Sequence, residues 1–64
     1  MKLKDFLEKV DKDQFVTVTV SAYGMAFETK HSAEFYLDHG DNLIDKEISV
    51  IYTNDDYLCV RIEN

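Results

Sequence analysis

The sequence predicts an α+β domain, an α-β-β-α-β-β chain built on one four-stranded, mainly antiparallel sheet with two short helices. Three observations predict it. Apolar residues fall at helical spacing in two places, and two other stretches alternate with the period of a strand, each folding back at a turn. The chain has only 64 residues, no proline and two glycines, so it is read as a single domain, 1–64, without a linker.

The elements follow in order. Leu3, Phe6, Leu7 and Val10 fall at i, i+3, i+4 and i+7 among charged neighbours, predicting an amphipathic helix of two to three turns. So short a helix persists only when its apolar stripe docks on the rest. Asp11 to Asp13 is a polar break. Phe15 to Val20 alternates strictly and is β-branched almost throughout, which predicts a strand with its three valines on one face. Tyr23-Gly24 supplies a two-residue reversal that pairs Val20 with Phe27 and Ala22 with Met25. From Ser32 to His39 the pattern is helical, with Thr29 or Ser32 as candidate cap and Gly40 as the stop. Leu43 and Ile44 are expected to tuck into the core from a connector. The last segment predicts a second hairpin around a three-residue loop, Asn54-Asp55-Asp56. That loop sets Tyr52 opposite Leu58, Val50 opposite Val60 and Ile48 opposite Ile62, all inward, and turns Ile51 and Cys59 outward. Strand order, and whether the helices share one face of the sheet, are left open at this level.

Composition narrows the function. A chain of this length buries only about 60 % of the surface its unfolded form exposes. Its single cysteine excludes an internal disulfide, and no Cys/His cluster offers a structural zinc. With these staples absent, local packing or self-association must supply stability, so a homodimer is one expectation. Met1 to Val10 does not read as a signal peptide and no segment has the length of a membrane span, which with a free thiol predicts a cytoplasmic protein. Thirteen acidic residues against seven basic ones give a net charge of -6 and a pI near 4.6. That balance argues against direct nucleic-acid binding and against a polybasic membrane contact.

Reactive chemistry finds little support. His31 and His39 bracket the second helix, and Cys59 sits mid-strand, where neither an oxyanion site nor an orienting partner is expected. Ordinary packing explains Cys59, and a cation at a helix C-terminus explains His39. Paired carboxylates occur at Asp11/Asp13, Asp41/Asp45 and Asp55/Asp56; Asn54-Asp55-Asp56 lacks the ligand arrangement of a calcium loop and is explained by turn preference. With glycine only at positions 24 and 40, no phosphate-binding loop exists. The chain is therefore expected to be no enzyme and to carry no metal or cofactor.

Two surfaces remain. Glu34, Asp38, Asp41 and Asp45 recur at helical spacing, and a continuous helix would align their carboxylates in a stripe resembling backbone phosphates; Gly40 is expected to interrupt the helix, which leaves only Glu34 and Asp38 aligned. Asp55 and Asp56 form a second acidic point, and a solvated face that keeps the protein soluble is the plainer explanation of all six. The outward sheet positions Phe15, Ile51 and Tyr57, with Cys59, Thr17, Thr19 and Arg61, form either a semi-apolar partner face or a second core layer. Tyr23 and Tyr36 are candidate exposed anchors.

The opening Met1-Lys2-Leu3-Lys4-Asp5-Phe6-Leu7-Glu8-Lys9-Val10, the segment Glu47-Ile48-Ser49-Val50 and the closing Leu58-Cys59-Val60-Arg61-Ile62 resemble small acidic proteins encoded by phages and prophages of Gram-positive bacteria. The resemblance implies action in the host cytoplasm and an anti-defence role, including anti-CRISPR-like inhibitors that block nucleic-acid sites. It carries over no functional residue. The leading expectation is a non-enzymatic, acidic, phage-type inhibitor that uses Glu34, Asp38, Asp41, Asp45, Asp55 and Asp56 against a basic nucleic-acid-acting protein. The alternative is a structural or assembly module, a homodimer joined through sheet edges or the Phe15/Ile51/Tyr57 face.

Overall fold

A computed structural model describes residues 1–63. Its elements are α1 (Leu3–Leu7), β1 (Phe15–Ala22), β2 (Met25–Ser32), α2 (Ala33–His39), a 3-10 helix (Asp41–Asp45), β3 (Val50–Asn54) and β4 (Tyr57–Glu63). The predicted α-β-β-α-β-β order holds. The sheet runs β2-β1-β4-β3, with antiparallel hairpins on the flanks and β1 parallel to β4 in the middle. It is thus mixed. A parallel pair needs a long crossover, and β2, α2, the 3-10 helix and β3 all lie in the chain between β1 and β4.

The first hairpin forms in the expected register, Val20 opposite Phe27 and Ala22 opposite Met25. Tyr23 and Gly24 both take positive φ, 55° and 76°, the two-residue turn whose twist matches the flanking strands. The second hairpin differs from the sequence reading. Its loop is two residues, Asp55-Asp56, with φ of 50° and 69°, and Asn54 pairs with Tyr57, Tyr52 with Cys59 and Ile51 with Val60. Every β3 side chain is therefore one position away from its expected partner and on the opposite face. The reason is that β3 is an edge strand exposed along its whole length, so matching apolar residues across the pair selects no register there. Turn chemistry decides instead, because aspartate tolerates the left-handed region better than most residues.

Both helices cover one face. Leu3 and Leu7 of α1 and Ala33 and Tyr36 of α2 close a core with Val16, Val18, Val60 and Ile62, and Leu43 and Ile44 pack against it as expected. Helix α1 ends at Leu7, shorter than predicted. A tight Lys9 N–H to Phe6 carbonyl bond turns the chain, while Val10 still reaches the core. The start of α1 is held by an antiparallel bridge between Lys2 and Glu47 and by the Leu3 N–H to Lys46 carbonyl bond at 2.9 Å. Ser32 caps α2, its hydroxyl accepting from the Phe35 N–H at 3.2 Å. Gly40 ends α2 at φ −75°, and its role is steric: a Cβ there would overlap the Tyr36 carbonyl and lie 2.6 Å from Cγ2 of Ile44.

Candidate interaction surface

The face of the sheet opposite the helices is uncovered. Its floor is made of the small side chains of the central strands, Thr17, Thr19 and Cys59, all buried. Larger residues rise around them: Lys30 from β2, Val50 and Tyr52 from β3, and Phe15 and Tyr57 at one end. Lys30 reaches over the floor to place its Nζ 4.2 Å from the Tyr57 ring centre, a cation–π contact. Over Thr17 and Cys59 lies a shallow depression of about 150 Å³, ringed by Lys30, Tyr52 and Tyr57 with Glu28, Asn54 and Asp55, while Phe15 and Val50 stand outside it. The expected apolar face thus exists for Phe15 and Tyr57, both exposed. Ile51 is not part of it: the shifted register turns Ile51 to the helix side beside Val60 and puts Tyr52 and Val50 in its place.

The six candidate acids are all exposed, but the structure does not bring them together as one stripe. Glu34 and Asp38 lie in α2, about 40° apart around the helix axis. The chain then breaks at Gly40, and Asp41 takes a left-handed φ of 48°. Asp41 and Asp45 fall within a 3-10 helix, where residues four apart point about 120° from each other. The alignment is therefore limited to Glu34 with Asp38, as expected from the interruption at Gly40. Asp55 and Asp56 stand at the tip of the β3–β4 hairpin, on the opposite half of the sheet from β2, whose Thr29 bonds to Tyr36 of α2.

Charge is unevenly distributed along the chain. Residues 33–45 contain four acids and no Lys or Arg, and the β3–β4 turn contains two more acids. The remaining seven acids equal the seven basic residues in number and are interspersed with them along the chain, whereas these six lie in stretches without Lys or Arg. None of the six forms an ion pair with a described residue. The sequence pattern already contained this segregation, legible by counting charges element by element instead of over the chain.

The other candidates have packing roles. Tyr36, expected as an exposed anchor, is 3 % exposed. Its hydroxyl donates to the Val16 carbonyl at 3.0 Å and lies 3.0 Å from the Thr29 hydroxyl. Burial raises its pKa above the usual 10, opposed in part by the Thr29 bond. Tyr23 is fully exposed at its turn. His31 stacks on Phe35 with ring centres 4.0 Å apart, and Phe35 also touches His39. Cys59 is a buried free thiol whose nearest acceptor is its own strand's Tyr57 carbonyl at 3.8 Å. Among the described residues no group of three His, Cys, Asp or Glu is placed to hold a metal ion, and no helix is long and apolar enough to cross a membrane. In comparisons with known proteins, the chain matches no protein-family profile, no curated sequence and no solved structure.

Proposed function

We propose that this chain is a non-enzymatic interaction domain that binds a basic site on a nucleic-acid-acting protein and thereby inhibits it. The observation that carries this reading is the location of the charge. Six exposed acids, none in an ion pair with a described residue, lie in stretches that contain no Lys or Arg, and four of them follow one another through α2 and the 3-10 helix. Unpaired carboxylates on a rigid element keep their field for a partner, attract Lys and Arg at long range, and compete for the groove that phosphates would fill. Glu34 and Asp38, aligned on α2, make the central contact. Asp41 and Asp45 extend it, and Asp55 with Asp56 offers a separate point of attachment. The resemblance to small acidic phage proteins supports an inhibitory role in the host cytoplasm. The packing roles of Cys59 and His31 support a binding function in place of a catalytic one.

Capture of partners by the tagged chain at low and high salt tests the reading. The expected result is a basic nucleic-acid-binding protein that is released as salt rises. Capture that does not respond to salt, or that yields only acidic partners, rejects it.

A further inference from the structure

A different element carries a second inference, independent of the acidic segment. Strand β2 is an outer edge of eight residues, without proline or bulge and with no described strand paired to its outer side, and its first six residues are exposed. Such an edge is a template for another strand. Its hydrogen-bonding parity is fixed. The two-residue turn is closed by the Ala22–Met25 pair, and the ladder is continued by the Ala33 N–H donating to the Gln14 carbonyl at 2.8 Å. Odd-numbered residues of β2 therefore bond to β1. The N–H and C=O groups of Ala26, Glu28 and Lys30 and the N–H of Ser32 face outward, the Ser32 carbonyl being taken by the first turn of α2.

We infer that this edge pairs antiparallel with β2 of a second copy about a two-fold axis at Thr29. Parity allows centres at 28, 29 and 30, and charge chooses among them. Centring on Glu28 sets it against its own copy, and centring on Lys30 does the same for the lysine; both place like charges directly opposite. Centring on Thr29 sets Glu28 against Lys30 of the second copy twice and Ala26 against Ser32 twice, with about six backbone hydrogen bonds, because each Ser32 carbonyl is held by its own α2. On the helix side the same register sets the exposed Phe27 opposite His31 of the second copy, beside the Phe35 ring that His31 stacks on. An exposed phenylalanine thus meets an aromatic pair across the joint. The other edge, β3, is shorter and uncharged, and its outward groups belong only to Ile51 and Thr53, so it selects no register. The two-fold union closes on itself, whereas joining β2 to β3 of another copy would propagate.

Sedimentation of the full chain between about 10 and about 500 µM is expected to show a monomer–dimer equilibrium. Glu28→Lys or Lys30→Glu alone should each weaken the dimer about tenfold or more, since two like-charge contacts replace two attractive ones. The double variant, Glu28→Lys with Lys30→Glu, should restore it. Both positions are exposed, so the fold is retained, and circular dichroism checks this. Amide exchange gives a second readout: protection at 28 and 30 should rise with protein concentration while that at 27 and 29 stays constant. A monomer throughout the range, or a dimer indifferent to the single reversals, overturns the inference; the latter result would locate self-association elsewhere.

Discussion

Removing one hydroxyl tests how the helix layer is fastened to the sheet. Tyr36→Phe keeps the ring against His31 and Phe35 but deletes the donor to the Val16 carbonyl and the contact with the Thr29 hydroxyl. Thr29 is exposed and can bond to water, so most of the cost falls at the Val16 carbonyl in a central strand. One net hydrogen bond to a buried group contributes about 1–1.5 kcal/mol. For a domain of this size each kcal/mol moves Tm by about 4–8 °C, so a clear loss in thermal unfolding is expected near neutral pH. Alkaline pH adds a second signature. The folded-state pKa of Tyr36 is raised, mainly by burial, so the contribution is fully present below pH 10 and is lost as pH rises through the folded value. Above pH 10 the unfolded chain ionises at Tyr36 while the folded chain resists. The gap between wild type and Tyr36→Phe should therefore narrow as pH rises past 10. Equal Tm values at pH 7, or a gap that stays constant into alkali, would refute the assigned role of the hydroxyl.

Two further substitutions probe local geometry. Gly40→Ala should destabilise the fold by about 1–2 kcal/mol, overpacking against the Tyr36 carbonyl and Ile44 outweighing the entropic gain of replacing glycine; an unchanged or raised Tm would show that the helix junction yields. Asp56→Gly should stabilise the second hairpin by about 0.5 kcal/mol, since its φ of 69° suits glycine at the second turn position; a lower Tm would contradict the two-residue loop.

The parts of this fold legible in the sequence are those that local chemistry determines. Strict alternation from Phe15 to Val20 with Tyr23-Gly24 specifies the first hairpin, because one face of β1 must be buried. In the second hairpin Val50, Ile51 and Tyr52 are apolar in succession on an exposed edge, so pattern matching had nothing to select against, and the Asp55-Asp56 turn carried the decisive information. Tyr36 illustrates a related difficulty. Its side chain suits an interface, yet it sits three residues after Ala33 and one before Leu37, on the stripe that α2 turns toward the sheet. The parallel β1–β4 pair and the shared helix face depend on contacts between distant segments, such as Leu3 with Lys46, which no local pattern encodes. For the candidate site, the acidic positions and the interruption at Gly40 are legible in the sequence, while the path beyond it is not: a left-handed φ at Asp41 and a 3-10 helix to Asp45 depend on how the junction packs.

The central claim is that α2 presents the acids that matter to a partner. Its most direct test compares two pairs of charge reversals in partner binding, Glu34→Lys with Asp38→Lys against Glu8→Lys with Glu63→Lys, all four positions being exposed. Both pairs change the net charge equally, so a field effect alone would weaken binding equally. Localised recognition predicts that the α2 pair loses binding by at least about tenfold more than the other pair, each desolvated charge contact contributing more than a kcal/mol. Equal losses from the two pairs would contradict it.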